Sequence, residues 1–219
     1  MKTRSRPRLV VFDFDGTLVN SLPLVLASIS HALEPFGGRP TMDIFAHLGG
    51  PPERFLPLLL GNPRDVPIAL RRMNTFHNEN NHLVKAFDGA AAMLDSLDSA
   101  GVRSAIWTGR DRESAQVLLS GLGLAGRFSE IVCGDDLPTH KPDPAGLREV
   151  MRRVGTSPVD TLYVGDADVD VLGGCACGVD TILIRHDRRI EAGIQARAWQ
   201  AADSPAEAYS LVLRAVAGV

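Results

Sequence analysis

Short apolar runs of strand length alternate along this chain with segments whose apolar residues recur at helical spacing, the pattern of a parallel sheet joined by crossover helices. The runs are residues 9–14, 103–107, 130–133, 161–164 and 181–184, each ending in a polar or glycine-bearing turn. Between them, Leu147, Val150, Met151 and Val154 stand at i, i+3, i+4 and i+7, so residues 143–154 offer one apolar stripe to a sheet. Met93, Leu94 and Leu97 do the same for residues 89–100. Ser204-Pro205-Ala206-Glu207 reads as a capping box with proline at the first helical position, opening a last helix toward Val216. The predicted fold class is α/β.

Residues 20–85 break this alternation. No strand pattern occurs there, while Leu22, Val25, Leu26, Ile29 and Leu33 keep helical spacing and Ala69, Met73 and Phe76 begin another stripe. Gly37-Gly38, Gly49-Gly50-Pro51-Pro52 and Gly61-Asn62-Pro63 separate its helices. The segment is expected to be a helical insert between the first strand and the second. Neither internal repeats nor low-complexity tracts occur.

A length of 219 residues suits one large domain or a core with a modest insert. Twenty-six acidic against 23 basic side chains give a net charge of -3, which supplies no field to gather nucleic acid or an anionic membrane. Cys133, Cys175 and Cys177 are too few for a disulfide framework, and Cys175-Ala-Cys177 lacks a second ligand pair for zinc. The basic start resembles a signal n-region, but its apolar run lasts only from Leu9 to Phe12 before Asp13 interrupts it. No apolar stretch is long enough for a membrane span. A soluble cytoplasmic protein is expected, with partners limited to small molecules.

Asp13-Phe14-Asp15-Gly16-Thr17 follows directly on the first strand, which places two carboxylates at a carboxyl strand end, where open α/β sheets bind ligands. A D-x-D-x-T pattern alone arises by chance in about one chain in 40 of this size. Three other strand ends carry complementary groups: Thr108-Gly109-Arg110, Lys141-Pro142-Asp143-Pro144, and Gly165-Asp166 through Asp170. If the strand ends converge, Asp13, Asp15, Asp166 and Asp170 meet. Two carboxylates about 4 Å apart repel by about 4 kcal/mol at an effective dielectric near 20, so such a set calls for a cation. Carboxylates, a main-chain carbonyl and waters suit Mg2+, and lysine, a threonine hydroxyl and glycine-exposed N–H groups make a cradle for a phosphoryl group.

With these four segments in place, the chain resembles the haloacid dehalogenase superfamily, and within it the phosphatases with a small helical cap inserted after the first motif, phosphoglycolate phosphatase and its relatives. The resemblance rests on residues 13–21, Thr108, Lys141 to Pro144, and Gly165 to Gly178, and spans nearly the whole chain. It departs at Asn20, Ala167 and Cys177, none of them a reacting group. It implies a Rossmann-like core of residues 1–19 and 86–219, with helices on both faces of a parallel sheet, and a cap of residues 20–85.

It also implies Asp13 as nucleophile, forming an aspartyl-phosphate that water cleaves, and Asp15 as the acid and base, with a raised pKa. Mg2+ is implied on the Asp13 side chain, the Asp15 carbonyl, Asp166 and Asp170. Thr108, Gly109 and Lys141 are implied as phosphoryl contacts. Arg110 is read as either a surface charge or a contact to the substrate phosphate, and Arg54 is the cap residue expected to meet the leaving group. Asp168, two residues from Asp166, is read as surface. Most other basic cap residues, among them His31, His47, Arg71, Arg72, His77 and His82, are read as a solvated helix face.

The expected activity is Mg2+-dependent hydrolysis of a small phosphorylated metabolite by a monomer or homodimer. A phosphosugar mutase of the β-phosphoglucomutase type is the alternative, since it shares the nucleophile, and a non-catalytic phospholigand-binding protein is a second. Asp15, which a halide leaving group does not need, speaks against dehalogenation, and it speaks equally against phosphonate cleavage.

Overall fold

A computed structural model describes residues 5–38, 52–186, 188 and 190–218, excluding the side chains of residues 52–54. Among these residues the strands are β1 (Leu9–Phe12), β2 (Val19–Asn20), β3 (Lys85–Ala86), β4 (Arg103–Trp107), β5 (Glu130–Val132), β6 (Thr161–Gly165), β7 (Asp180–Ile184) and β8 (Gln200–Ala202). The helices are α1 (Leu22–Leu33), α2 (Pro52–Leu59), α3 (Val66–Glu79), α4 (Ala90–Ser99), α5 (Arg112–Gly121), α6 (Ala145–Val154), α7 (Asp168–Cys177), α8 (Ala192–Gln195) and α9 (Pro205–Ala217).

Six strands form one sheet in the order β5-β4-β1-β6-β7-β8, every neighbouring pair parallel. This is the doubly wound arrangement in which strand order reverses beside the first strand and leaves a crevice at its carboxyl end. Leu9 is level with both Arg103 and Thr161, so β1, β4 and β6 end together and deliver their following loops to that crevice. Helices α6 and α7 cover one face, and α4 and α9 the other. On the first face Leu9, Val11, Ala105, Trp107 and Tyr163 pack with Leu147, Val150, Met151 and Val154, the stripe predicted for this helix. Two arginines close helix ends: Arg6 Nη2 donates to Ala100 O (2.7 Å) and Arg103 Nη1 to Val154 O (2.6 Å), where a cation also meets the negative end of the helix dipole.

The expected strands are recovered with small shifts. β1 stops at Phe12 rather than Phe14, while β6 runs on to Gly165. β8 was not expected: Gln200, Ala201 and Ala202 carry neither β-branched nor aromatic side chains, and only the open edge of β7 makes a strand of them.

The chain divides into two compact units, one of Met1–Asn20 with Ala86–Val219 and one of Ser21–Lys85. Within the second, Ile29, Ala32, Leu33, Phe55, Leu56, Leu60, Ala69 and Met73 form the core. The stripe expected on α1 is rotated: Leu24, Ser28, Ile29, Ala32 and Leu33 are buried, whereas Leu22 is exposed. Ser28 satisfies its hydroxyl on Leu24 O (2.7 Å). Nor is the basic set of this unit wholly solvated. Arg72 donates to His31 O at 3.0 and 3.2 Å, closing the end of α1, and the His31 ring stacks on Phe76 at 4.8 Å.

Candidate active site

The site is built at the crevice from the loops after β1, β4, β5 and β6. Asp13 continues the register of β1, its N–H donating to Val164 O (2.8 Å). Beyond it the chain turns tightly, Leu18 and Val19 N–H both reaching back to Phe14 O (2.9 and 3.0 Å). Gly16 adopts φ +74°, and a side chain there would overlap the Asp166 carboxylate, so glycine is required on both counts. After β6, Asp170 lies in the first turn of α7, where its Oδ2 accepts from Ala167 N–H (2.9 Å).

Lys141 brings these segments together. Its ammonium donates to Asp13 Oδ1 (2.7 Å) and Asp170 Oδ1 (2.8 Å), and it lies over the ring of Trp107, 4.9 Å from its centre. Tyr163 OH donates to the same Asp170 oxygen at 2.6 Å. Asp13, Asp166 and Asp170 each present one carboxylate oxygen, all within 4.8 Å of one another.

The charges in this cluster do not balance. Burial pushes the Asp13 carboxyl up to about 7, and the charges of Asp170 and Asp15 push the same way against the opposing Lys141. Asp166 is driven well above the usual carboxylate range by burial, then by Asp13 and Asp170. Burial works against the charge of Lys141, but Asp13 and Asp170 outweigh it and hold the ammonium charged. Lys141 bonds two of the three carboxylates, Arg188 offsets part of the charge on Asp166, and the all-oxygen donor set fits a hard divalent cation.

Thr108, at the end of β4, is buried, its N–H bonded to Val132 O (3.0 Å) and its Oγ1 accepting from Arg110 N–H (3.1 Å). Arg110 turns its side chain back on Asp15 through two hydrogen bonds, Nη2 to Oδ1 (2.5 Å) and Nε to Oδ2 (2.9 Å). The residue read as either a surface charge or a substrate contact is therefore an ion-pair partner of the second motif carboxylate. The side chain of Arg54 lies outside the described residues.

Tyr163, Trp107, His186 and Arg188 join the site without having been anticipated. A tyrosine inside a buried strand must find a partner for its hydroxyl, and that signal was available in the sequence. His186 follows β7, at a strand end that carries none of the four motif segments. Its Nε2–H donates to Gly16 O (2.7 Å), and it is the one described non-glycine residue with positive φ, at 49°. Arg188 donates to the backbone carbonyl of Asp166.

The family model for haloacid dehalogenase-like hydrolases matches residues 10–184. A phosphoglycolate phosphatase of Pseudomonas fluorescens is 31% identical over 190 residues, spanning 82% of this chain and 70% of that protein. The pyrophosphatase PpaX of Halalkalibacterium halodurans is 32% identical over 185 residues, 83% of this chain and 85% of its own. The crystal structure of a predicted phosphoglycolate phosphatase from Haemophilus somnus shares the fold with a TM-score of 0.82 at 23% identity, covering 94% of this chain and 97% of that one.

Proposed function

Since the chain belongs to the haloacid dehalogenase-like hydrolases, we propose that it is a Mg2+-dependent phosphomonoester hydrolase working through an aspartyl-phosphate on Asp13. The observation that carries this reading is the buried Lys141 ammonium shared between Asp13 and Asp170, with Asp166 beside them. Lys141 holds Asp13 Oδ1 and leaves Oδ2 to attack phosphorus in line. Asp15 gives a proton to the leaving alcohol, then takes one from the water that opens the acyl phosphate. Thr108 Oγ1, the Gly109 N–H and Lys141 hold the non-reacting phosphoryl oxygens.

The carboxylates of Asp13, Asp166 and Asp170, with the Asp15 carbonyl, are the residues that would hold Mg2+. Bound there, it supplies positive charge to offset these carboxylates and to polarise a phosphoryl oxygen. The unit of residues 21–85 is proposed as a cap that excludes bulk water and carries the leaving-group contact at Arg54. Among the described residues no helix is long and apolar enough to cross a membrane. A cytoplasmic monomer or homodimer acting on a small soluble phosphomonoester fits this reading, without nucleic acid or membrane partners.

The test is release of inorganic phosphate from a panel of small phosphate esters and pyrophosphate, with Mg2+ and with a chelator. Phosphoglycolate and pyrophosphate come first in that panel, because the relatives are named for them. Stoichiometric, Mg2+-dependent release supports hydrolysis; no release from any ester overturns it. The phosphosugar mutase reading has less support, since these relatives are phosphatases, and it would show as an isomerised sugar phosphate without loss of organic phosphate.

A further inference from the structure

Arg110 and Asp15 stand 95 residues apart in the chain, yet the guanidinium engages both carboxylate oxygens. The pair is largely enclosed, the Arg110 side chain 10% and the Asp15 side chain 33% exposed. The backbone that carries Arg110 is pinned. Its carbonyl accepts from Gly134 N–H (2.8 Å), its N–H bonds Thr108 Oγ1, and a side chain at Gly134 would overlap the Gly109 carbonyl. Side-chain rotation is therefore the freedom left to the pair.

A carboxylate whose two oxygens are both held by a guanidinium cannot serve a leaving oxygen until it is let go. Release takes a two-oxygen partner from an enclosed guanidinium, a loss that another anion taking the carboxylate's place offsets. We propose that Arg110 is a positioning residue that latches Asp15, and that a second anionic group on the substrate's leaving alcohol opens the latch by taking over the guanidinium. Resting on the hydrolase reading above, this deepens it: proton transfer is coupled to recognition of a doubly anionic substrate. With the latch open, Asp15 takes a proton from solvent water, and that proton passes to the leaving oxygen as the P–O bond breaks and the Asp13–phosphorus bond forms.

Three esters separate the possibilities in the Mg2+-loaded enzyme. An aryl phosphate expels an anion and needs no acid; ethyl phosphate needs the acid and carries no second charge; phosphoglycolate needs the acid and carries a carboxylate. The wild type is expected to turn over phosphoglycolate with a kcat at least about tenfold above ethyl phosphate. Arg110→Gln should raise kcat on ethyl phosphate and raise KM for phosphoglycolate, so that the two kcat values converge. Arg110→Lys, a point charge without the fork, should fall between. Formate added with ethyl phosphate should activate the wild type and not Arg110→Gln.

If Arg110→Gln leaves or lowers kcat on ethyl phosphate and only raises KM for phosphoglycolate, Arg110 is a substrate contact and the latch is overturned. A parallel fall on all three esters with a lowered Tm assigns it a structural role and overturns the latch equally. Failure of the wild type to release phosphate from any of the three esters is a different result, which removes the hydrolase reading itself.

Discussion

The Lys141 ammonium lies 2.7 Å from Asp13 Oδ1 in the protein interior, and the same nitrogen lies 2.8 Å from Asp170 Oδ1. One cation thus orients two carboxylates, one from the loop after β1 and one from the first turn of α7. The arrangement is tight because Tyr163 OH and the Ala167 N–H hold Asp170 from its other sides. Asp13 is left with its second oxygen for chemistry.

Removing Lys141 leaves Asp13, Asp166 and Asp170 facing one another without the ammonium. Lys141→Met is expected to destabilise the metal-free protein by about 3–5 kcal/mol, the scale for breaking a buried ion pair on one side. Mg2+ should recover part of that loss, since it supplies charge to the same carboxylates. Urea unfolding with Mg2+ and with chelator measures both, and phosphate release should fall to background in either condition.

The raised Asp13 carboxyl gives a pH dependence of definite sign. Its ordinary value of 3.8 is pushed up to about 7 in the folded protein without metal. An acid raised on folding contributes stability that is present below its unfolded pKa and is lost as pH climbs through the folded value. The metal-free protein should therefore lose a few kcal/mol between about pH 4 and about pH 7. Mg2+ binds the ionised carboxylates, so its effect on Tm should be small near pH 5 and large near pH 8, with protons released on binding. Thermal melts with and without Mg2+ across this range test it, and a chelated protein whose Tm climbs through that window contradicts it.

The carboxyl strand ends were legible because apolar runs stop abruptly at charged residues: Phe12 gives way to Asp13, and Gly165 to Asp166. Five of the six strands of the sheet follow from such runs, though not their order, and β8 does not, since its small residues look the same in a strand or a loop. Within the site, Lys141 could be placed by its segment, but its exact partners could not. Tyr163 hid among the apolar residues of a buried strand. Arg110 showed its charge, while its partner lay 95 residues away. The face of α1 was misread because Ser28 is buried, its hydroxyl satisfied on Leu24 O, and hydrophobic spacing does not register a buried polar residue.

Tyr163 offers a gentler probe of the cluster than Lys141. Tyr163→Phe keeps the ring that packs 5.3 Å from Trp107 and deletes only the hydroxyl on Asp170. Loss of a hydrogen bond to a charged group is worth about 1.5–3 kcal/mol. Because Asp170 is then held less firmly, Mg2+ affinity is expected to drop by about 10- to 100-fold, the usual effect of losing a group that orients a ligand. Calorimetric titration with Mg2+ reads this directly; unchanged affinity would mean that Asp170 is fixed by Lys141 and the Ala167 N–H alone.

Asp13→Asn separates charge from nucleophilicity. The amide keeps the size of the side chain, and its oxygen can still accept from Lys141 Nζ, so the loop after β1 has no reason to move. One negative charge leaves a cluster that has too many, and the metal-free variant should therefore melt at or above the wild-type temperature at neutral pH. Its Tm should respond less to Mg2+, because one ligand oxygen has lost its charge. Turnover should fall by roughly a thousandfold or more, the scale for removing a nucleophile. Melting curves and phosphate release are measured on the same preparation, so a misfolded variant is told apart from an inactive one. Substantial hydrolysis by a folded Asp13→Asn at matched Mg2+ would transfer the nucleophile to another residue or to water, and the role given to Lys141 would go with it.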